Sequence, residues 1–153
     1  MKKLLLVIIA LFLINTVTYG DGIDAYIELL KSDLRTQKVA VITEALQLTD
    51  EESTAFWPVH REYELELSEI IDDRIELIRD YAQNYDNLTN EKAKELAKTV
   101  FALEKRRAKL KKKYFKKFEK AVSAIVAAKF IQVENQINLL IDLQIATELP
   151  LIK

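Results

Sequence analysis

The sequence contains no cysteine, so no disulfide can staple the fold and no thiolate can act as nucleophile or metal ligand. Its only glycines, Gly20 and Gly22, lie near the start, and its only prolines are Pro58 and Pro150. A sheet protein needs Gly-, Pro- and Asn-rich turns at regular intervals; their scarcity leaves an all-α chain with few, short turns. His60 is the sole imidazole, which confines any Ser-His-Asp arrangement to that one residue. Glu64 lies one helical turn beyond it, but a closed zinc site takes a full tetrahedral set of ligands, and only scattered surface carboxylates remain. His60 is therefore read as a partly exposed structural side chain. There is no glycine-rich phosphate loop, and paired-carboxylate catalysis needs a carboxyl with a raised pKa in a dry pocket, which a charged helical surface does not demand. No catalytic residue, cofactor or metal is assigned, and the chain is read as a non-enzyme.

What is present begins with a leader. Met1, Lys2 and Lys3 form a basic start, Leu4 to Ile14 an unbroken apolar run, and Thr18 and Gly20 sit where a cut before Asp21 requires small residues. A membrane span needs about 20 apolar residues, and this run is shorter, so residues 1–20 read as a cleaved signal peptide. No cysteine follows to carry a lipid. Residues 21–153 are then a single exported helical domain with no stable membrane insertion, periplasmic where the source has an outer membrane.

Periodicity predicts helices near 23–47, 50–84, 90–120 and 124–147. The first carries Ile23, Ile27, Leu30, Leu34, Val41, Ala45 and Leu48 at helical spacing, with a second stripe of Val39, Ile42 and Leu46. Thr49, Thr89 and Ser123 are the expected N-caps, the first with Glu52 as the acidic half of a capping box. LTDEESTAF, LTNEKAKEL and VSAIVAAKF share an apolar residue, a hydroxyl cap, and a large apolar residue seven places after the cap. Phe56, Tyr63, Leu67, Ile70, Ile71, Ile78 and Tyr81 face inward on the second helix, which is expected to kink or restart at Pro58. On the third, the inner face of Ala93, Leu96, Val100, Leu103, Leu110, Tyr114 and Phe118 is broken at Arg107. Phe130, Ile137, Leu140, Ile141 and Ile145 mark the fourth, and Pro150 keeps the apolar tail from being helical. The second and third helices should form a long antiparallel hairpin, the third about 45 Å long at ~1.5 Å per residue. Such long helices leave apolar stripes uncovered, so an elongated homodimer is expected.

Charge is segregated along that hairpin. From Glu44 to Asp86 there are thirteen acids against Arg61, Arg74 and Arg79, whereas from Lys105 to Lys120 there are ten basic residues against Glu119. The two runs can neutralise each other across the hairpin, or the basic one can present a face to an anionic partner. Nucleic acid is chemically possible for KRRAKLKKKYFKK, but export argues against it.

The exported all-α chain, the Leu48-Thr49 helix start with Phe56 behind it, and the Val122-Ser123 start with Phe130 behind it resemble the bacterial periplasmic LTxxQ proteins of the Spy and CpxP type. Glu52 stands at the family's first Gln position and Val126 at the second. The resemblance implies a small curved helical homodimer acting as an ATP-independent chaperone or envelope-stress regulator. On that reading, unfolded or partner proteins are held by Phe56, Trp57 and Tyr63, while Lys105, Arg106, Arg107, Lys109, Lys112 and Lys116 attract acidic segments. The alternative is a structural or regulatory subunit with one dedicated protein partner.

Overall fold

The computed structural model describes residues 33–152, which fold as α1 (Asp33–Leu46), α2 (Asp50–Asn84), a 3-10 turn (Tyr85–Asn87), α3 (Asn90–Ala121) and α4 (Ala124–Glu148). The chain is all-α. The leader at residues 1–20 and the expected helical residues 23–32, with Ile23, Ile27 and Leu30, lie outside the described residues.

Each helix starts on a hydroxyl cap. The Thr49 Oγ1 accepts from the Glu52 amide at 3.2 Å, and the Glu52 carboxylate accepts from the Thr49 amide at 3.0 Å, closing a capping box. Thr89 and Ser123 accept from the amides of Lys92 and Val126, each at 3.2 Å. The residue seven places after each cap, Phe56, Leu96 and Phe130, is buried. At the end of α1, Gln47 takes φ 50°, the left-handed conformation that closes a helix and that a residue with a Cβ adopts at some cost.

The expected restart at Pro58 does not occur, because α2 runs through it unbroken. Pro58 and Thr54, whose carbonyl would have taken the missing amide proton, are both exposed. Water can therefore satisfy that carbonyl, while the capping box and the buried Phe56 keep the first turns helical.

The ion pairs between α2 and α3 climb one helix as they descend the other: Lys92 with Asp80, Arg106 with Asp73, Lys113 with Glu66, and Lys117 with Glu62. That is the register of two helices running in opposite directions. Helical Cβ atoms lean toward the N-terminus of their own helix. The α3 lysines thus lean toward the turn and the α2 glutamates away from it, and they meet although their Cα positions are offset.

The core is formed by Ile42 and Leu46 of α1, Phe56, Tyr63, Leu67 and Ile70 of α2, Leu103, Leu110, Tyr114 and Phe118 of α3, and Val126, Ala127, Phe130 and Ile137 of α4. On α1 the core takes Ile42 and Leu46 of the second sequence stripe, with Val41 and Leu48 of the first packed half-buried against it, while Val39 of the second and Ala45 of the first are exposed. The tail after α4 is non-helical, as Pro150 dictates, and the Tyr81 hydroxyl donates to the Pro150 carbonyl at 2.6 Å.

Thr49→Ala removes the cap on α2 and should cost about 1 kcal/mol. The measurement is the urea midpoint of the purified protein; an unchanged midpoint would mean that the cap contributes nothing to the start of α2.

Candidate functional site

Two places in the bundle concentrate polar chemistry and one concentrates open apolar surface. The first is a largely buried network to which all four helices contribute, bordered by a polar cleft beside Lys38, Glu64, Arg107 and Asn138. Glu134 of α4 is fully buried. Its Oε1 accepts from the Tyr63 hydroxyl at 2.9 Å, from Lys38 Nζ at 3.1 Å and from Asn138 Nδ2 at 3.3 Å. Lys38 Nζ also lies 2.8 Å from Oε2, outside hydrogen-bond alignment, so that oxygen is held by charge alone. The same ammonium donates to Glu64 Oε1 at 2.7 Å. Asn138 Oδ1 in turn accepts from Arg107 of α3. Burial pushes the Glu134 carboxyl upward, but the Lys38 ammonium and the donors from Tyr63 and Asn138 outweigh it and hold the group ionised, below its ordinary value. Burial first, and the Glu134 charge second, raise the Tyr63 phenol. Two of its buried atoms, Glu134 Oε2 and Arg107 Nε, have no hydrogen-bond partner, and its remaining bonds tie the four helices together.

His60 lies on top of it and is 3 % exposed, so it is a core histidine and not the partly exposed one expected. Its ring stacks on Phe56 at 5.7 Å and meets Trp57 and Phe130 edge-on at 5.2 and 5.6 Å. Its Nε2 has no hydrogen-bond partner, the nearest carboxylate oxygen being Glu64 Oε1 at 3.6 Å, already engaged by Lys38. Burial, and then the Lys38 charge, lower its pKa to about 4. Among the described residues no group of acids, cysteines and histidines is arranged to hold a metal ion.

This packing corrects the assignment of contact residues. Phe56 and Tyr63 are fully buried, Phe56 stacking on Phe118 and Tyr63 meeting Tyr114 edge-on, so neither can touch a client. Each lies on the helix line that carries the core, which is where large aromatics bury most area. Trp57, one residue round from Phe56, is half-buried at the edge, with its indole N–H donating to Ser53 Oγ at 3.0 Å.

The basic residues also divide. Arg106 pairs with Asp73, and Arg107 turns inward to Asn138. Lys105, Lys109, Lys112 and Lys116 stand exposed on the opposite side of α3, with no ion pair to any described residue.

The third place, which sequence reasoning missed, is a cleft of about 490 Å³ near the α2–α3 turn. Leu77, Ile78, Leu96, Val100, Phe101 and Ile145 line it, Arg74, Glu104, Arg107 and Asp142 stand among its walls, and Leu149 and Ile152 of the tail reach it. Val100 is 39 % and Phe101 67 % exposed. Its signal in the sequence is the adjacent pair Val100-Phe101, where one residue too many is apolar for a single inward stripe.

Comparison with protein-family models, curated proteins and solved structures found no match for this chain.

The sign of the His60 shift gives a pH test. The folded histidine resists protonation until about pH 4, whereas the unfolded one takes its proton near 6.5, so stability is fully present above that upper value and falls as pH drops between the two, by about 3 kcal/mol. Glu134 adds a further loss below the ordinary carboxyl value of 4.5, where the unfolded chain binds a proton first. His60→Phe should flatten the first window and leave the second, read from urea unfolding across pH; an unchanged slope in the first window would rule out His60 as its source.

Proposed function

We propose that this protein is an exported helical protein-binding protein of the periplasm, an ATP-independent chaperone or envelope-stress component like the LTxxQ proteins it resembles, and that it acts as a homodimer. The observation that carries this reading is the open apolar cleft beside Val100 and Phe101. An open apolar surface rimmed by polar groups marks a place where another molecule docks. An unfolded polypeptide offers what it needs: a short apolar stretch selected by hydrophobicity and not by a hydrogen-bond pattern. Lys98 and Lys105, exposed on either side of Phe101, add attraction for acidic flanks and hence speed of encounter. Leu139 and Leu143, one turn apart on α4 and 69 % and 62 % exposed, supply apolar surface for a second copy, with Trp57 as a further seam residue.

One feature favours a dedicated partner instead. The tail is pinned across one side of the cleft by the Tyr81–Pro150 hydrogen bond, and a cleft narrowed in that way fits one shaped segment better than many. On this second reading the protein is a structural or regulatory subunit.

The test is suppression of aggregation of an unrelated unfolding client by the purified protein at low and high salt. Suppression at near-stoichiometric ratio, weakened by salt and severalfold poorer for Val100→Ser with Phe101→Ser, is the expected outcome. No suppression, together with a single protein recovered by cross-linking in the envelope, favours the dedicated partner. Sedimentation at micromolar concentration should show a dimer, and a monomer there removes the second copy from the proposal.

A further inference from the structure

The outward face of α3 carries Lys94, Lys98, Lys105, Lys109, Lys112, Lys116 and Lys120, all exposed. Their spacing of three, four or seven residues places them on one line of an α-helix, opposite the core line of Leu96, Leu103, Leu110, Tyr114 and Phe118. From Lys94 to Lys120 that line is about 39 Å long at ~1.5 Å per residue. None of these seven ammoniums has a hydrogen-bond or ion-pair partner among the described residues. The α3 cations that do pair, Lys92, Arg106, Lys113 and Lys117, lie on the flank toward α2. Mutual neutralisation of the hairpin thus accounts for the flank and leaves the outward stripe unexplained. Glu91 just before its start, Glu95 at its edge and Glu119 near its end are exposed carboxylates on this side of α3, and Phe101, 67 % exposed, stands within the stripe between Lys98 and Lys105.

We infer that this stripe is a docking surface for an anionic lipid bilayer, on which α3 lies flat with its lysines among the headgroups and Phe101 inserted at the interface. Three observations favour a bilayer over an acidic protein or a nucleic acid. The stripe is made only of lysine, a hydrated point charge suited to diffuse headgroup attraction, whereas the arginines, which make the forked contacts of specific recognition, turn away to Asp73 and Asn138. The charges are spread along one line of an unbroken helix and not gathered into a patch, so a plane can meet them together. Between them stand the short, exposed Ala102 and Ala108, so only Phe101 presents an apolar group where an amphipathic helix buries one. The attachment is adsorption and not insertion: among the described residues no helix is long and apolar enough to cross a membrane. The attachment does not rest on the reading of the cleft as a polypeptide site, although Phe101 also lines that cleft.

The experiment is vesicle flotation of the processed protein, purified from the exported fraction, with phosphatidylglycerol-containing and pure phosphatidylcholine vesicles at low and high salt. Binding is expected on the anionic vesicles only, and to fall as salt rises. Each lysine at such a surface is worth about a fivefold change in partitioning, so Lys109→Gln with Lys112→Gln should weaken binding by about twenty-five-fold. Lys113→Gln with Lys117→Gln removes the same charge from the paired flank and should weaken it far less. Phe101→Ser should abolish the part of the binding that survives high salt. These side chains are exposed except Lys117, which is half-buried over the Tyr114 ring, and unchanged circular dichroism verifies that each variant is folded. The proposal is overturned by absence of binding to the anionic vesicles, by equal binding to the neutral ones, or by equal losses from the two lysine pairs. It is also overturned if polyglutamate or an oligonucleotide is bound more tightly than the vesicles at matched charge.

Discussion

The carboxylate of Glu134 is fully buried and ionised, and the rest of the bundle is arranged to make that tolerable. An isolated charge in a protein interior is prohibitively costly. Here Lys38 of α1 supplies the counter-charge, Tyr63 of α2 and Asn138 of α4 supply donors, and Asn138 brings in Arg107 of α3. Because these groups come from all four helices, satisfying one carboxylate fixes the axial position of every helix relative to the others. Apolar packing alone permits more than one arrangement of similar volume. A buried ion pair adds little net stability compared with apolar replacements, but losing one partner of it costs about 3–5 kcal/mol. Its effect is therefore to select this arrangement of the helices over slipped ones.

On either side of that polar layer the bundle has a different character. Toward the capped start of α2 the layer of Phe56, His60, Phe118 and Phe130 is packed ring to ring, with Phe56 and Phe118 centroids at 4.8 Å and Phe118 and Phe130 at 4.5 Å. Toward the α2–α3 turn the packing thins into the cleft lined by Leu77, Ile78, Leu96 and Val100. Arg107 and Arg74, which line both this cleft and a second, more polar one beside Lys38, mark the boundary between the two regimes. The closed end supplies rigidity and the open end supplies surface, which is why the candidate contact residues lie far along the hairpin from the aromatics.

Local features were the legible ones. The caps, the bounds of α2, α3 and α4 and the inner line of α3, apart from the exposed Val100, follow from patterns within one or two turns, where a hydroxyl, an acid and an apolar spacing act together. What escaped was non-local. Lys38, Glu134 and Asn138 carry no mark in the sequence, because nothing within one helix tells a solvated glutamate from one whose partners arrive from elsewhere. Arg107 was visible as a break in the α3 stripe, but its meaning lay on α4. The same limit misplaced the contact aromatics. Phe56 and Tyr63 are conspicuous in sequence because they are large, and for that reason the core takes them first. Pro58 failed as a breaker because its lost hydrogen bond falls on an exposed side of α2, where water replaces it.

The separation of arginine from lysine on α3 links the interior to the outer surface. A guanidinium keeps a planar fork of donors and is more weakly hydrated than an ammonium, so it can be drawn in against Asn138 or laid along Asp73 at moderate desolvation cost. An ammonium without a partner stays in water. The seven outward lysines are thus the residue type that an exposed helix face keeps solvated until a surface rich in anions displaces that water. Phe101 belongs to both surfaces, since it lines the cleft and stands in the lysine stripe. A polypeptide seated in the cleft and a bilayer laid along α3 therefore contend for one ring, so each would be bound more weakly in the presence of the other, by the same factor from either side.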